Sequence, residues 1–383
     1  MESKHVAFCL DQAYGNIVPT LGIASKLVLR GHRVSYTVPE TFAPIIRRVR
    51  ATPVIIEPMD IRGRINAAIT IENDCFRYVE RTPEAVKYCR DLSRARTENL
   101  LSQLEVLYRD DPPDLVLHDD SLDTAGRELA DKWGLKRIRH HSQYLDKLSI
   151  IDYSQTFAKD ELVLMTVPEF FQRDRQTLDE RFRFVGFVPE GRFEIFEPWQ
   201  PSRPVHKPIL VSATTGLLPQ RSFYQAMIGA VRDQPWDVIL SISGSRDRIS
   251  AIAPEEMSNL PRNVLLNASG SNFDIVKHCG LYIGQGGQGG VLEAIYWGVP
   301  QIVIPPEPYH YSVGRRVAEL DLGICLAPAE LSIDGLRQQI AALLANRATL
   351  ERVQIAGESM RTHSGAPLAV EIIEGCLEDC LED

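Results

Sequence analysis

The chain has 383 residues, 44% of them hydrophobic and 24% charged, which is the balance of a globular protein with two or three domains rather than a disordered or fibrous one. Forty-two Lys and Arg against 51 Asp and Glu leave a net charge of −9, and the densest basic stretch, Arg47, Arg48 and Arg50, reads as a solvated helix end. No nucleic-acid partner is therefore expected, because phosphate neutralisation needs concentrated basic residues.

The first apolar run, residues 5–10, reads as a buried strand. After the loop 11–16, Ile17, Leu21, Ala24 and Val28 recur at helical spacing and stop at Gly31, a natural helix end. A strand at 33–38, a helix at 39–49 and a strand at 53–56 complete a β-α-β-α-β unit, which predicts a parallel sheet covered on both faces. A long helix over 83–108 follows, then a strand at 115–118, a helix at 122–133 and strands at 137–140, 162–167 and 184–188. Residues 189–207 change character, with Pro189, Pro198, Pro201 and Pro204 and no sustained period, and read as a linker. The alternation then restarts, with strands at 209–213, 238–243, 264–266, 281–284, 301–304 and 324–326.

The fold expected is α/β, with two Rossmann-like doubly wound domains facing each other across a cleft. Residues 1–190 form the first domain, 191–207 the linker and 208–383 the second, with the last helix free to return to the first. Ligands of such sheets sit at the carboxyl ends of the strands, so the cleft is the expected site. No apolar run is long enough to cross a bilayer and no leader precedes the first strand, so a cytoplasmic protein without a membrane partner is expected. Seven scattered cysteines without a C-x-x-C pair read as reduced thiols, with neither a disulfide framework nor a metal site.

One local feature is more specific than the rest. In Leu281-Tyr282-Ile283-Gly284-Gln285-Gly286-Gly287-Gln288-Gly289-Gly290 a strand runs into a glycine-rich turn and then a helix. Several N–H groups and the positive helix end then face one spot, an arrangement that suits a diphosphate. Packing alone also produces such turns, and the run is neither G-x-G-x-x-G nor a P-loop.

The run Gly284 to Gly290, then Glu293, Gly298-Val299-Pro300 and Pro305-Pro306, resembles the donor-binding half of the macrolide-type glycosyltransferases, which have the GT-B fold. The loop ending in Gly15, Pro19, the stretch Arg30-Gly31-His32-Arg33-Val34 and Asp114-Leu115-Val116-Leu117-His118-Asp119 are similar to their acceptor domain. The resemblance covers nearly the whole chain. It implies inverting transfer of a sugar from a UDP- or TDP-sugar co-substrate to a hydroxyl of a small natural product, with no metal and no other cofactor. A histidine base, an orienting Asp and a diphosphate-binding half carry that chemistry in the family.

The chain departs from this pattern at the positions that do chemistry. The family's catalytic His falls at Asn16, whose amide cannot act as a base, while the orienting carboxylate remains as Asp119, which also reads as a helix cap. On the donor side the diphosphate His falls at Gln285, ahead of Gly286, Gly287, Gly289 and Gly290. The base-stacking Trp falls at Ser269 and the sugar-binding acidic-Gln pair at Tyr309 and His310. Substitute catalytic groups are Tyr14, His140, His141, Asp11, His118 and Asp120; His140 and His141 alternate faces of a strand end, so at most one of the two is expected to face the cleft. Three readings stay open. These are a glycosyltransferase with a non-standard base, a GT-B scaffold repurposed for a nucleotide-sugar-independent reaction on a natural-product intermediate, and a non-catalytic partner of a glycosyltransferase. A homodimer is compatible with each.

Overall fold

The computed structural model describes residues 2–59, 61, 70–73, 76–79, 82–119, 121, 123–145, 162–195, 198–200, 206–213, 221–242, 258–267, 271–306, 308–327, 331–363 and 365–378. The first half holds β1 (His5–Cys9), β2 (Arg33–Val38), β3 (Thr52–Ile55), a separate antiparallel hairpin β4 (Thr70–Asn73) and β5 (Phe76–Val79), then β6 (Leu115–His118), β7 (Lys136–His141), β8 (Val163–Met165) and β9 (Phe182–Phe184). Seven of these form one parallel sheet in the order β3-β2-β1-β6-β7-β8-β9. The second half holds β10 (Ile209–Ser212), β11 (Val238–Ser241), β12 (Val264–Asn267), β13 (Leu281–Gly284), β14 (Gln301–Val303) and β15 (Gly323–Cys325). They form a six-stranded parallel sheet, β12-β11-β10-β13-β14-β15.

Both sheets are therefore doubly wound, and the two Rossmann-like units face each other across a cleft. Helices cover both faces, so strands such as β1, β6 and β10 are buried at every residue and read as unbroken apolar runs. The chain order reverses beside β1 in one sheet and beside β10 in the other, the topological switch points where such folds receive ligands. Register fixes what stands there. Cys9 pairs with His118, which sets the loop after β1 beside Asp119. Ser212 pairs with Gly284, which sets the glycine turn at the corresponding edge of the second sheet.

Three features differ from the sequence reading. The hairpin β4–β5 lies in a stretch with no clear period. The strand expected at 184–188 ends at Phe184, because the chain turns through Gly186, which has φ +86°. The stretch expected as linker begins with a helix, Glu190–Ile195, whose six residues are too few to show a period. Arg192 of this helix is buried; it donates to the Val188 carbonyl at 2.6 Å and lies over the Phe187 ring.

The last helix, Gly365–Glu378, packs into the first unit, not the second. Ala366, Ala369, Val370 and Ile373 join Phe8, Leu21, Leu27 and Leu117 in one core. Glu374 receives Arg30 and His32, and Lys136 donates to the Cys376 carbonyl. A second core, with Val211, Met227, Leu240, Ile283 and Ile302, belongs to the second unit. A third joins the two: Tyr144, Val167, Phe171 and Phe187 pack with Phe273, Val291, Ile295, Val303 and Val313. Because Ile373 is fully buried in the first unit's core, Ile373→Ala is expected to cost about 3 kcal/mol of that unit's stability. The check is a lowered denaturant midpoint reported by first-half probes.

Candidate active site

On the first unit, Asp119 follows β6 and Asn16 lies in a four-residue helix, Tyr14–Ile17, in the loop after β1. The side chains meet: Asn16 Nδ2 donates to Asp119 Oδ2 at 2.9 Å and to Ser121 Oγ at 2.9 Å. Asp119 Oδ2 also accepts from the Asp11 N–H at 3.2 Å, and Oδ1 from the Ser121 N–H at 3.1 Å. Asp119 thus closes a turn rather than capping the next helix; that helix, Ala125–Trp133, has its Ala125 N–H bound by Asp123 Oδ1 at 3.2 Å.

The electrostatics single out Asp119. Arg96, 4% exposed on the long helix Pro83–Leu107, donates to Asp11 Oδ1 at 3.2 Å, to Asp123 Oδ2 at 2.9 Å, to the Met59 carbonyl at 3.1 Å and to Gln12. The one guanidinium therefore serves two of three neighbouring carboxylates, and Asp119 is held by neutral donors. Asp119 is 8% exposed, and burial first, then the Asp11 carboxylate, pushes its pKa up to about 7.

The other first-half candidates are placed differently. His140 is 1% exposed with Nε2 3.0 Å from Thr166 Oγ1, and His141 is buried beside it. Burial pushes both imidazoles down to about 3, so each is neutral and weakly basic at neutral pH. Tyr14 is 47% exposed with its ring 5.0 Å from that of Phe42. Asp11 is taken up by Arg96, His118 is fully buried in β6, and Asp120 lies outside the described residues.

On the second unit, β13 runs through Gln285, Gly286 and Gly287 into the helix Gln288–Tyr296. Gly286 has φ +83°, and a Cβ there would stand 2.6 Å from the His310 carbonyl oxygen and 3.0 Å from Val303 Cγ1. Only glycine lets the turn pass that close. Gly284 and Gly290 both make room for the Tyr282 hydroxyl, whereas a Cβ on Gly289 would meet nothing within 4 Å. The turn therefore combines both uses of its glycines: some are needed for packing, and Gly289 faces open space. Gln285 is buried, as is His310. Glu293 points to the seam, where its carboxylate meets Arg192 Nε at 3.1 Å, and burial raises its pKa. Ser269 lies outside the described residues.

Two residues emerge that the sequence reading did not single out. One is Arg96; nothing in its charged helical surroundings marks it as buried. The other is Gln288, whose Oε1 accepts from the Tyr144 N–H of the first unit at 3.3 Å and from the Tyr309 hydroxyl at 3.4 Å. Its only sequence signal is its place at the first helical position after the turn. Two residues before Tyr144, Ser142 Oγ donates to the Gly15 carbonyl at 3.2 Å. The short segment Ser142–Tyr144 thus links the Asn16 loop to the glycine turn, so both edges border one cleft. Among the described residues no group of three or more His, Cys, Asp or Glu side chains could hold a metal ion, and no helix is long and apolar enough to cross a membrane.

Two stability effects follow. Gly286→Ala is expected to cost about 1–3 kcal/mol from the left-handed backbone alone, and Gly289→Ala close to none; paired thermal melts check the contrast. Arg96→Met strands Asp11 and Asp123 and is expected to cost about 3–5 kcal/mol at neutral pH. Melts at pH 7 and at pH 4 separate this from lost packing, since protonating Asp123, whose pKa burial raises, restores part of the loss.

Comparison with known proteins agrees with this architecture. Residues 247–378 match the family described as Erythromycin biosynthesis protein CIII-like, C-terminal domain. The chain is 29% identical to the NDP-glycosyltransferase YjiC of Bacillus licheniformis over 98% of each protein. It is also 29% identical to the demethyllactenocin mycarosyltransferase of Streptomyces fradiae, over 97% of this chain and 86% of that protein. Among solved structures, the calicheamicin glycosyltransferase CalG4 superposes with a TM-score of 0.78 at 24% identity, covering 100% of both chains. The glycotransferase of kitacinnamycin gives 0.80 at 23% identity, over 98% of this chain and 100% of that one. With both Rossmann-like units and their cleft in hand, the chain has the GT-B fold and is similar over its full length to NDP-sugar glycosyltransferases, enzymes of macrolide and antibiotic biosynthesis among them.

Proposed function

We propose that this protein is an inverting glycosyltransferase of secondary metabolism that moves a sugar from a UDP- or TDP-sugar to a hydroxyl of a small natural product, with Asp119 as its base. The observation that carries the reading is the pairing of Asp119 with Asn16 on one edge of the cleft and the glycine turn on the other, bridged by Ser142–Tyr144. Likeness over the full length to enzymes named as NDP-sugar and macrolide glycosyltransferases supports it.

In the proposed step the acceptor hydroxyl gives its proton to an Asp119 oxygen while its own oxygen attacks the anomeric carbon. The bond from that carbon to the diphosphate oxygen breaks on the opposite face, and the nucleoside diphosphate leaves with the electron pair. On this reading the N-terminal N–H groups of the helix Gln288–Tyr296 are the donors for the negative charge that a departing diphosphate gathers. A general base works best when its pKa lies near the operating pH, and Asp119, at about 7, meets that condition better than His140 or His141, at about 3. Asn16 cannot accept the proton, but as a donor to Oδ2 it fixes the carboxylate's rotamer.

The neighbouring reading, a nucleotide-sugar-independent reaction on a natural-product intermediate, is favoured by the replacements at Gln285, Tyr309 and His310. It also uses Asp119 but predicts no nucleotide binding. The test is a panel of UDP- and TDP-sugars with hydroxylated natural products, read by mass spectrometry and by the anomeric configuration of the product. Transfer with inversion is expected, and Asp119→Asn should lower kcat by about 10²–10⁴. Since the active form is the carboxylate, wild-type kcat/KM should rise as pH increases through about 7 and level off above it. Full activity in Asp119→Asn removes the base assignment. A wild-type protein that transfers nothing and shows no thermal shift with UDP or TDP removes the glycosyltransferase reading.

A further inference from the structure

We infer that the Gln288 carboxamide is a donor-site contact, giving its Nε2 hydrogens to the diphosphate of the nucleotide, and that Tyr144 and Tyr309 set its orientation. This rests on the nucleotide-sugar reading above and adds a residue to it.

The orientation of the amide follows from hydrogen-bond chemistry. The Tyr144 backbone N–H can only donate, so the Gln288 atom 3.3 Å from it must be the oxygen. The Tyr309 hydroxyl, 3.4 Å from the same atom, reinforces this. Nε2 is therefore the unengaged end of the amide.

Among the described residues, that end has no protein partner. Gln288 is 7% exposed, and its Nε2 is buried without a hydrogen-bond acceptor. A buried amide donor left unmade is costly, and native proteins rarely keep one unless something outside the chain accepts from it.

Its position is the first residue of a nine-residue helix. The first intrahelical bond runs from the Val291 N–H to the Gly287 carbonyl at 3.1 Å, so the N–H groups of Gln288, Gly289 and Gly290 have no acceptor within the helix. Gly287, the cap residue, has no side chain to supply one. The side-chain donor and the backbone donors belong to one helix end, and an anion is the acceptor that satisfies both.

The oxygen is held from the first unit and the nitrogen is offered beside the second unit's turn. Ser142 and Tyr144 lie on one segment, with Ser142 on the Gly15 carbonyl, next to Asn16. Gln288 is thus the side chain through which the acceptor-side loop fixes the geometry of the diphosphate-side donors.

The test compares four probes, UDP, TDP, uridine and thymidine, by calorimetry on the full-length wild type, Gln288→Glu and Gln288→Leu. Gln288→Glu keeps the oxygen that Tyr144 needs and replaces the donor with a charged acceptor. UDP or TDP is expected to bind it at least about a hundredfold more weakly, and Gln288→Leu about ten- to hundredfold more weakly, with nucleoside binding changed less than about threefold in both. Unchanged diphosphate affinity in Gln288→Glu overturns the inference. So does an equal loss for nucleosides and nucleotides, which marks a structural role. A wild type that binds neither UDP nor TDP fails the nucleotide-sugar reading itself, an outcome distinct from a wild type that binds them with indifferent variants.

Discussion

The mixed core between the two units is the constraint on which the site depends. Tyr144, Val167, Phe171 and Phe187 from the first unit and Phe273, Val291, Ile295 and Val313 from the second bury one another, and apolar burial of this kind is the main favourable term in association as in folding. Polar contacts add register to it. Arg316 donates to the carbonyls of Phe171 and Phe170 at 2.9 and 2.8 Å, and Arg192 pairs with Glu293 at 3.1 Å. The ion pair is buried, so its contribution is better described as fixing one arrangement than as adding stability. Once the seam is set, the carboxyl ends of β1 and β6 and the turn after β13 border the same space.

Within that frame, the acceptor edge is organised by an imbalance of charge. Among the described residues, Asp119 feels the carboxylates of Asp11 and Asp123, and the buried guanidinium of Arg96 reaches those two but makes no ion pair with Asp119. Low-dielectric surroundings make every unpaired charge expensive, so the cluster holds a proton most easily on the carboxylate that Arg96 does not reach. The folded state therefore binds this proton more tightly than the unfolded chain does. By linkage, the contribution of Asp119 to stability is largest at low pH and declines as pH rises toward about 7. A group poised this way gives up stability for a carboxylate that ionises in the range where proton transfer is useful.

Much of the architecture is legible in the sequence because it is written in local patterns. Buried strands such as His5–Cys9 and Leu115–His118 appear as apolar runs, and the glycine turn announces its own strand-to-helix geometry. The site is less legible because its contacts are not local. Asn16 and Asp119 are 103 residues apart, and Tyr144 and Gln288 are 144 apart; no periodicity links them. Arg96 sits among charged neighbours on a long, largely polar helix, and only the tertiary position of Asp11 and Asp123 shows why it is buried. Glu293 illustrates the same non-locality: it stands shortly after the glycines in sequence, and its carboxylate pairs with Arg192, 101 residues away. The return of Gly365–Glu378 to the first core is likewise a property of the assembled fold, since its apolar face would suit either unit.

The replacements at positions 16 and 285 acquire a common meaning on the proposed reading. Asn16 and Gln285 are neutral amides where the resembling enzymes carry histidines, and two buried arginines, Arg96 and Arg192, are already engaged by carboxylates. A bound diphosphate is then met by dipoles, namely the helix end and the Gln288 amide, rather than by a titratable cation. Dipoles screen the ligand's charge less completely than a neighbouring cation would, so the nucleotide brings net negative charge into the cleft. Negative charge near a buried carboxylate favours its protonated form, which strengthens Asp119 as a base when the donor is in place. A histidine base would be shifted the same way, but it would also need stabilising as a cation once protonated, whereas a protonated Asp119 is neutral. The exchange of a His for an Asn beside a retained Asp is thus chemically coherent: it removes the relay and leaves the carboxylate to take the proton itself.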